Sequence, residues 1–263
     1  MGTQSLTESL LADSQIADLY QRATQSQFLR LGGQGRLSRG TLSAWLSQDR
    51  LYALAYVRFI GGLVSRVTFP TQVDAKGTSA TLQWRILTLL QGCLAGITKE
   101  LQFFEETARS YDLDLAAVGP GERGFGPNAT TQGYIDLFDS FAAKPRQEEE
   151  RTLFEGLVVL WATEQAYFTA WSYAKQHSSQ DADFEKDSDG GALRKHLIPN
   201  WTSRPFQEFV SEIRECVDAY AENLTGEDNV DARFVTAAAM TKKVFVLEEG
   251  FWPVVGEDEE GAA

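Results

Sequence analysis

Three acidic residues stand where a helical protein would place apolar ones. Between Leu37 and Val67, the positions Leu42, Trp45, Asp49, Tyr52, Tyr56, Phe59 and Leu63 recur at steps of three and four. The same spacing joins Leu153, Leu157, Leu160, Glu164, Tyr167 and Trp171. It also sets Glu248 between Val244 and Phe251, on a stripe that opens at Phe234. Such steps put residues on one face of a helix. An ionised carboxylate left unpaired on a buried face costs several kcal/mol. Each acid must therefore be paired, hydrogen-bonded, protonated or turned toward a polar cavity. An aromatic ring follows each acid one turn later: Tyr52 after Asp49, Tyr167 after Glu164, Phe251 after Glu248. A pocket walled by rings and floored by carboxyls suits a flat, nitrogen-rich ring, which stacks on the walls while the acids bind or protonate its nitrogens. The competing reading makes the three structural acids, at stripe edges or capping neighbouring helices. A stripe covers about 100° of the helix, so chance puts an acid on one roughly a quarter of the time.

The elements that must carry these residues read as helices throughout. The first long pattern opens at Leu37-Ser38 and runs to about Val67, ending before Phe69-Pro70 because the residue before proline disfavours helix. A second covers about Ser79 to Tyr111, with Trp84, Leu87, Leu90, Leu94, Ile97, Leu101 and Phe104 on one face. A short one spans Thr131 to Ala143. The next runs from about Pro145 to Gln176, with Pro145 in its first turn and Glu148 to Glu150 beside the helix dipole. Two more run from about Arg204 to Leu224 and from about Asp231 to Trp252. No segment alternates as a strand would, so the expected class is all-α. The glycine-rich stretch Val118 to Pro127 and the polar, acidic stretch Ser178 to Gly191 read as surface loops. No linker divides the chain. A single domain is expected over 1–256, followed by an acidic, disordered tail over 257–263.

Composition narrows the chemistry. The chain of 263 residues carries 24 basic and 37 acidic side chains, a net charge of −13, which offers no basic face to a nucleic acid. With 43% hydrophobic and 23% charged residues it has the mix of a globular protein, not of a disordered one. Cys93 and Cys216 are too few for a disulfide scaffold or a thiolate zinc site and read as buried thiols. Residues 1–7 show no secretory pattern, and no apolar run reaches the ~18 residues of a membrane span. A soluble, cytoplasmic protein is expected. His177 and His196 lack the Glu-x-x-His spacing of a di-iron bundle and flank polar loops, which argues against haem or metal ligation. The glycines between 119 and 126 follow no strand and precede no Gly-Lys-Ser, so they form no phosphate loop. No metal and no cofactor is expected.

Four segments resemble the TenA (thiaminase II-like) family. Phe28-Leu-Arg-Leu, with Gly35 and Leu37-Ser38, is similar to the family's lead-in to its long helix. Trp45-Leu-Ser-Gln-Asp49-Arg-Leu-Tyr52 resembles its first signature. Pro127-Asn-Ala-Thr-Thr-Gln-Gly-Tyr134 is similar to the segment that delivers a pocket tyrosine, and Glu248-Glu-Gly-Phe251-Trp252 to the closing motif of the last helix. The resemblance implies a haem oxygenase-like helical bundle that needs no haem, a thiamin-salvage hydrolase acting on an aminopyrimidine, and a homo-oligomer. It implies that Asp49 binds the ring nitrogen and amino group, that Tyr52 and Tyr134 hydrogen-bond or stack, and that Glu248 is a general acid or base. Tyr167, Phe251 and Trp201 complete the expected substrate contacts; Trp201 stands where the family often has a tyrosine.

One departure changes the expected chemistry. The best-known branch has a nucleophilic cysteine four residues before the tyrosine of the fourth helix. Here that position is Thr163, beside Glu164. The sequence resembles the branch in which glutamate takes over, and the implied mechanism is water activation by Glu164 and Glu248 as a carboxylate pair. Which is acid and which is base stays open. A pyrimidine-binding or scaffold protein that turns nothing over is the alternative, as is an enzyme for another heteroaromatic compound.

Overall fold

The computed structural model describes residues 4–72, 76–119, 121–142, 151–179, 183–224 and 230–256. Among the described residues ten α-helices follow in order: α1 (Leu6–Ala12), α2 (Ser14–Thr24), α3 (Gln27–Gly33), α4 (Arg39–Val64), α5 (Leu82–Tyr111), α6 (Ala129–Ala142), α7 (Leu153–Gln176), α8 (Ile198–Trp201), α9 (Arg204–Asn223) and α10 (Val230–Phe251). Short 3₁₀ turns lie at Thr78–Ala80 and Phe184–Lys186, and a π turn at Leu193–Leu197 leads directly into α8. Among the described residues there is no strand, and no helix is long and apolar enough to cross a membrane.

Local chemistry sets the helix starts. Ser38 lies in extended backbone and its Oγ accepts from the Thr41 amide, so α4 begins at Arg39. Thr152 and Glu155 form a capping box, each side chain taking the other's backbone N–H, and α7 begins at Leu153. That corrects the expected start at Pro145; residues 143–150, including Glu148 to Glu150, lie outside those described, as does the tail 257–263.

The helix α7 is the centre of the bundle. Nearly every residue from Leu157 to Thr163 is fully enclosed, so this stretch is apolar on all sides rather than on a stripe. Around it stand α2, α3, α9 and α10, and α4 crosses against α5 and α6. The approach of α4 to α6 is tight: a Cβ on Gly62 would lie 2.4 Å from the Phe141 carbonyl oxygen. Gln48 fastens the far end of this pair. Its Nε2 donates to the Gly126 carbonyl and its Oε1 accepts from the Asn128 amide, which sets where α6 starts relative to Asp49.

The helices α1 to α3 were not expected, although α2 carries a stripe of Ile16, Leu19, Tyr20 and Ala23 at helical spacing. Two expectations need correction. The inward face of α5 is Ile86, Leu90, Cys93 and Phe104, while Trp84 is 44% exposed; the expected face, phased on Trp84 and Leu87, is rotated. The acidic stretch before Gly191 is not all surface. Asp187 is buried in an ion pair with Arg194, and Asp189 accepts from the amides of Gly191 and Leu193. Those carboxylates receive the donors that ionised groups need away from water.

Candidate functional site

A cavity of about 420 Å³ opens between α4, α5, α7, α8 and α9. Its wall includes Asp49, Tyr52 and Tyr56 from α4, Cys93 and Glu100 from α5, Glu164 and Tyr167 from α7, and Trp201 from α8. Five of the expected site residues therefore share one wall: Asp49, Tyr52, Glu164, Tyr167 and Trp201. Tyr134, Glu248 and Phe251 form a second layer behind Tyr52, whose ring centroid lies 4.9 Å from that of Tyr134 and 5.9 Å from that of Phe251.

Each carboxyl takes its hydrogen bond from a neutral donor. Tyr167 donates its hydroxyl to Asp49 Oδ2 at 3.1 Å, Tyr56 donates to Glu164 Oε1 at 2.8 Å, and Tyr134 donates to Glu248 Oε2 at 2.5 Å. Among the described residues, no arginine or lysine forms an ion pair with any of the three. Burial therefore governs their titration. It pushes Glu164 up to about 7 and Glu248 up to about 8, against hydrogen bonds that pull the other way; each is also raised by the nearness of another carboxyl, Glu100 and Glu164 respectively. Burial also holds Asp49 well above the usual carboxylate range, and the nearness of Glu100 is the next cause. Acids buried without an ion-pair partner hold protons toward higher pH and favour a guest that supplies positive charge or N–H donors.

The aromatic scaffold fixes these groups. Trp45 lies on the buried side of α4, within 5.2 Å of Trp171 and 5.8 Å of Trp201 between ring centroids. Trp171 and Trp201 are 4.6 Å apart, and Tyr167 meets Trp201 edge-on at 5.3 Å. Such contacts leave the rings little rotational freedom.

Thr163 Oγ1 donates into its own helix, toward the carbonyls of Val159 and Leu160. Cys93 does line the cavity, but burial, helped by the nearby Glu164, pushes its thiol far up and disfavours the thiolate. Sequence reasoning missed Glu100. It accepts from Trp201 Nε1 on one oxygen and from Asn200 Nδ2, at 3.1 Å, on the other. Phased on the true inward face of α5, the run Ile86, Leu90, Cys93, Ile97, Glu100, Phe104 would have shown it.

No family model matches the chain. A probable transcription factor from Fusarium pseudograminearum is 31% identical over 255 residues, which is 86% of this chain; the chain spans 48% of that protein, about half its length. A probable bifunctional TENA-E protein from Glycine max is 19% identical over 94% of this chain and 91% of its own. The crystal structure of a TenA homologue from Pyrococcus furiosus superposes with a TM-score of 0.68 at 20% identity, covering 94% of this chain and 98% of the other. The sequence motifs and the superposition agree: the chain has the all-α, haem oxygenase-like TenA fold over nearly its whole length.

Proposed function

We propose that the protein is a TenA-type hydrolase acting on an aminopyrimidine product of thiamin breakdown, of the branch that uses glutamate in place of cysteine. The observation that carries this reading is the meeting of Asp49 and Glu164 on one ring-lined cavity wall, with Glu248 behind it, each bonded to a tyrosine and none to a cation. Asp49, whose protonated form burial favours, gives its hydrogen to a ring nitrogen while its other oxygen accepts from the neighbouring amino group. Tyr52, Tyr167 and Trp201 wall the ring. Tyr134 and Phe251 support Tyr52 and Glu248 from behind.

Glu164 is the base in this reading. Its carboxylate takes a proton from water as the water oxygen bonds to the carbon that carries the leaving nitrogen. Glu248 is the more strongly raised of the two and supplies the proton that the leaving nitrogen needs as its bond to carbon breaks. A proton returned from Glu164 to Glu248 through solvent resets the pair. No cofactor enters. The Asn128 to Tyr134 segment and α10 both converge behind Tyr52, so the Tyr52 ring has to turn aside for Glu248 to come within hydrogen-bond reach of the leaving nitrogen, and the placement of that ring controls the step.

By the same likeness the protein works in the cytoplasm as a homo-oligomer. The alternative, a binding or scaffold protein on this fold, is favoured by Thr163, which closes the covalent route. Hydrolysis of aminomethyl-pyrimidine and its formyl derivative by the purified protein, lost in both E164Q and E248Q, supports the hydrolase. Stabilisation by these compounds without product supports the alternative, and turnover that survives both substitutions removes the paired-carboxylate mechanism.

A further inference from the structure

We propose that Glu100 is a ligand-binding residue that determines specificity, receiving a positively charged organic group in the part of the cavity between α5 and α9. This deepens the proposed function and rests on it, because it adds a second recognition point to the same cavity.

Glu100 differs from the other three acids in its surroundings. Burial pushes its titration up, while two neutral donors, Trp201 Nε1 and Asn200 Nδ2, oppose that rise and orient its two oxygens. Each carboxylate oxygen can accept more than one hydrogen bond, so acceptor capacity is left over. The cavity that it lines is otherwise largely apolar and aromatic, with Ile97, Phe104, Trp201, Phe206 and Phe209 on its wall. Rings beside carboxylates form the setting in which an organic cation binds, by charge and by the ring faces together.

There is room for such a group. Gly92 and Gly96 line the cavity one turn apart on α5, and a Cβ at either would meet nothing within 4 Å. The cavity, about 420 Å³, falls within the range of roughly 300–1,000 Å³ that suits drug-sized ligands. It is therefore larger than one small ring requires. Besides Glu100, the ionisable groups on the cavity wall are Asp49, Tyr52 and Tyr56 from α4, Cys93 and Lys99 from α5, and Glu164 and Tyr167 from α7. Lys99, the lysine on the wall, makes no ion pair with Glu100 among the described residues. Asp49 and Glu164 both feel the charge of Glu100. A cation placed at Glu100 relieves that repulsion. The ligand class is thus a two-part molecule, with a nitrogen-rich ring at Asp49 and a cationic or ammonium-bearing group at Glu100.

The test uses binding, not turnover, and probes without a pyrimidine. Calorimetric titration compares benzylammonium with benzyl alcohol, its uncharged analogue of similar size, on the full chain and on E100Q, D49N and G96V. The expected result is a loss of about tenfold in benzylammonium affinity in E100Q, the size of one charge-assisted hydrogen bond, with benzyl alcohol changed by less than about twofold. G96V, whose Cβ meets nothing within 4 Å, narrows the cavity and weakens both probes. Equal effects of E100Q on both probes overturn the proposal, as does a benzylammonium affinity that depends on Asp49 and not on Glu100. Absence of binding to the unaltered chain, or binding that G96V leaves untouched, overturns it too. Failure of pyrimidine hydrolysis with the Glu100 selectivity intact removes the proposed reaction and leaves the cation site standing.

Discussion

The hydroxyl of Tyr134 donates to Oε2 of Glu248 at 2.5 Å, while Oε1 of the same carboxyl is buried and has no hydrogen-bond partner. One neutral donor is therefore all that opposes the rise in pKa that burial imposes on Glu248, beyond which Glu164 adds repulsion. Removing it in Y134F leaves the carboxylate form without support. The expected outcome is an alkaline limb of kcat/KM that moves to higher pH, with kcat lowered by roughly tenfold, the worth of a hydrogen bond to a charged group. A pH profile that stays in place shows that Glu248 does not carry the titrating proton.

The two glutamates also fix the profile of the unaltered enzyme. A base titrating at about 7 must be ionised and an acid titrating at about 8 must be protonated. The active fraction is largest between these values, so kcat/KM follows a bell with its optimum between pH 7 and 8. In E164Q the acidic limb disappears along with most of the rate. A flat profile between pH 5 and 9 would contradict the pairing; those limits bracket the two titrations by about one unit or more.

Stability should run against pH for the same reason. The ordinary value for Glu248 is 4.5 and the folded value is about 8. The native state thus holds more protons than the unfolded chain between these values. Stability from this group is complete below the unfolded value and is lost as pH rises through the folded one. E248Q removes the cost of ionising a buried group. Its Tm should exceed that of the unaltered protein at pH 8.5, by about 2–4 °C for each kcal/mol recovered, and the difference should shrink toward pH 5. Thermal melts across that range decide it; a gap that does not depend on pH would mean the side chain acts through packing.

How much of this could be read from residues alone depended on contrast. Asp49 and Glu164 stood out because an acid interrupts a run of leucine, tryptophan and tyrosine at unbroken helical spacing. Their tyrosine partners did not follow: the spacing set Tyr52 beside Asp49 and Tyr167 beside Glu164, whereas the hydrogen bonds run between helices, from Tyr167 to Asp49 and from Tyr56 to Glu164. Glu100 was hidden by a phase error. Trp84 and Leu87 suggested one face of α5, but Trp84 is 44% exposed and the inward face starts from Ile86. Periodicity cannot separate two apolar stripes a fraction of a turn apart when both contain leucine. The helices α1 and α3 have seven residues each, too few turns for a stripe to repeat, whereas α2 shows one at Ile16, Leu19, Tyr20 and Ala23 that was missed. Asp187 was read as surface because composition shows a charge but not its partner, and Arg194, seven residues on, reaches it only after the π turn Leu193–Leu197 has formed.

Cys93 offers a direct test of the absence of thiol chemistry. It lies on the cavity wall, where a nucleophile would be useful, yet burial and the nearby Glu164 disfavour its thiolate. C93S should retain turnover within about threefold, since a thiol held protonated contributes little nucleophilic rate. Alkylation of the native protein by iodoacetamide at pH 7 should be slow compared with that of the unfolded chain. A loss of activity in C93S comparable to that in E164Q would move the nucleophile from water to sulfur.

The positions of Asp49 and Tyr134 depend on how closely α4 and α6 approach, and that distance is set at Gly62. A methyl group there would stand 2.4 Å from the carbonyl oxygen of Phe141 and 2.8 Å from its carbon. Both are backbone atoms, so no side chain can turn away to relieve the contact. The helices must separate at that point, which costs about 1–3 kcal/mol by overpacking. Arg66 adds to the constraint, since its Nη1 donates to the carbonyls of Gly62 and Phe141 and a wider gap loses this bridge. G62A should therefore lower Tm and also reduce kcat more than it raises KM, because the Tyr52–Tyr134 contact behind the cavity opens while the Asp49 anchor on α4 stays in place. G61A, one residue away, serves as the control: a Cβ there meets nothing within 4 Å. Since alanine favours helix over glycine by up to about 1 kcal/mol, this variant should melt at or above the temperature of the unaltered protein with its kinetics unchanged. Equal melting temperatures for the two variants would show that the crossing of α4 and α6 is looser than the carbonyl contact implies.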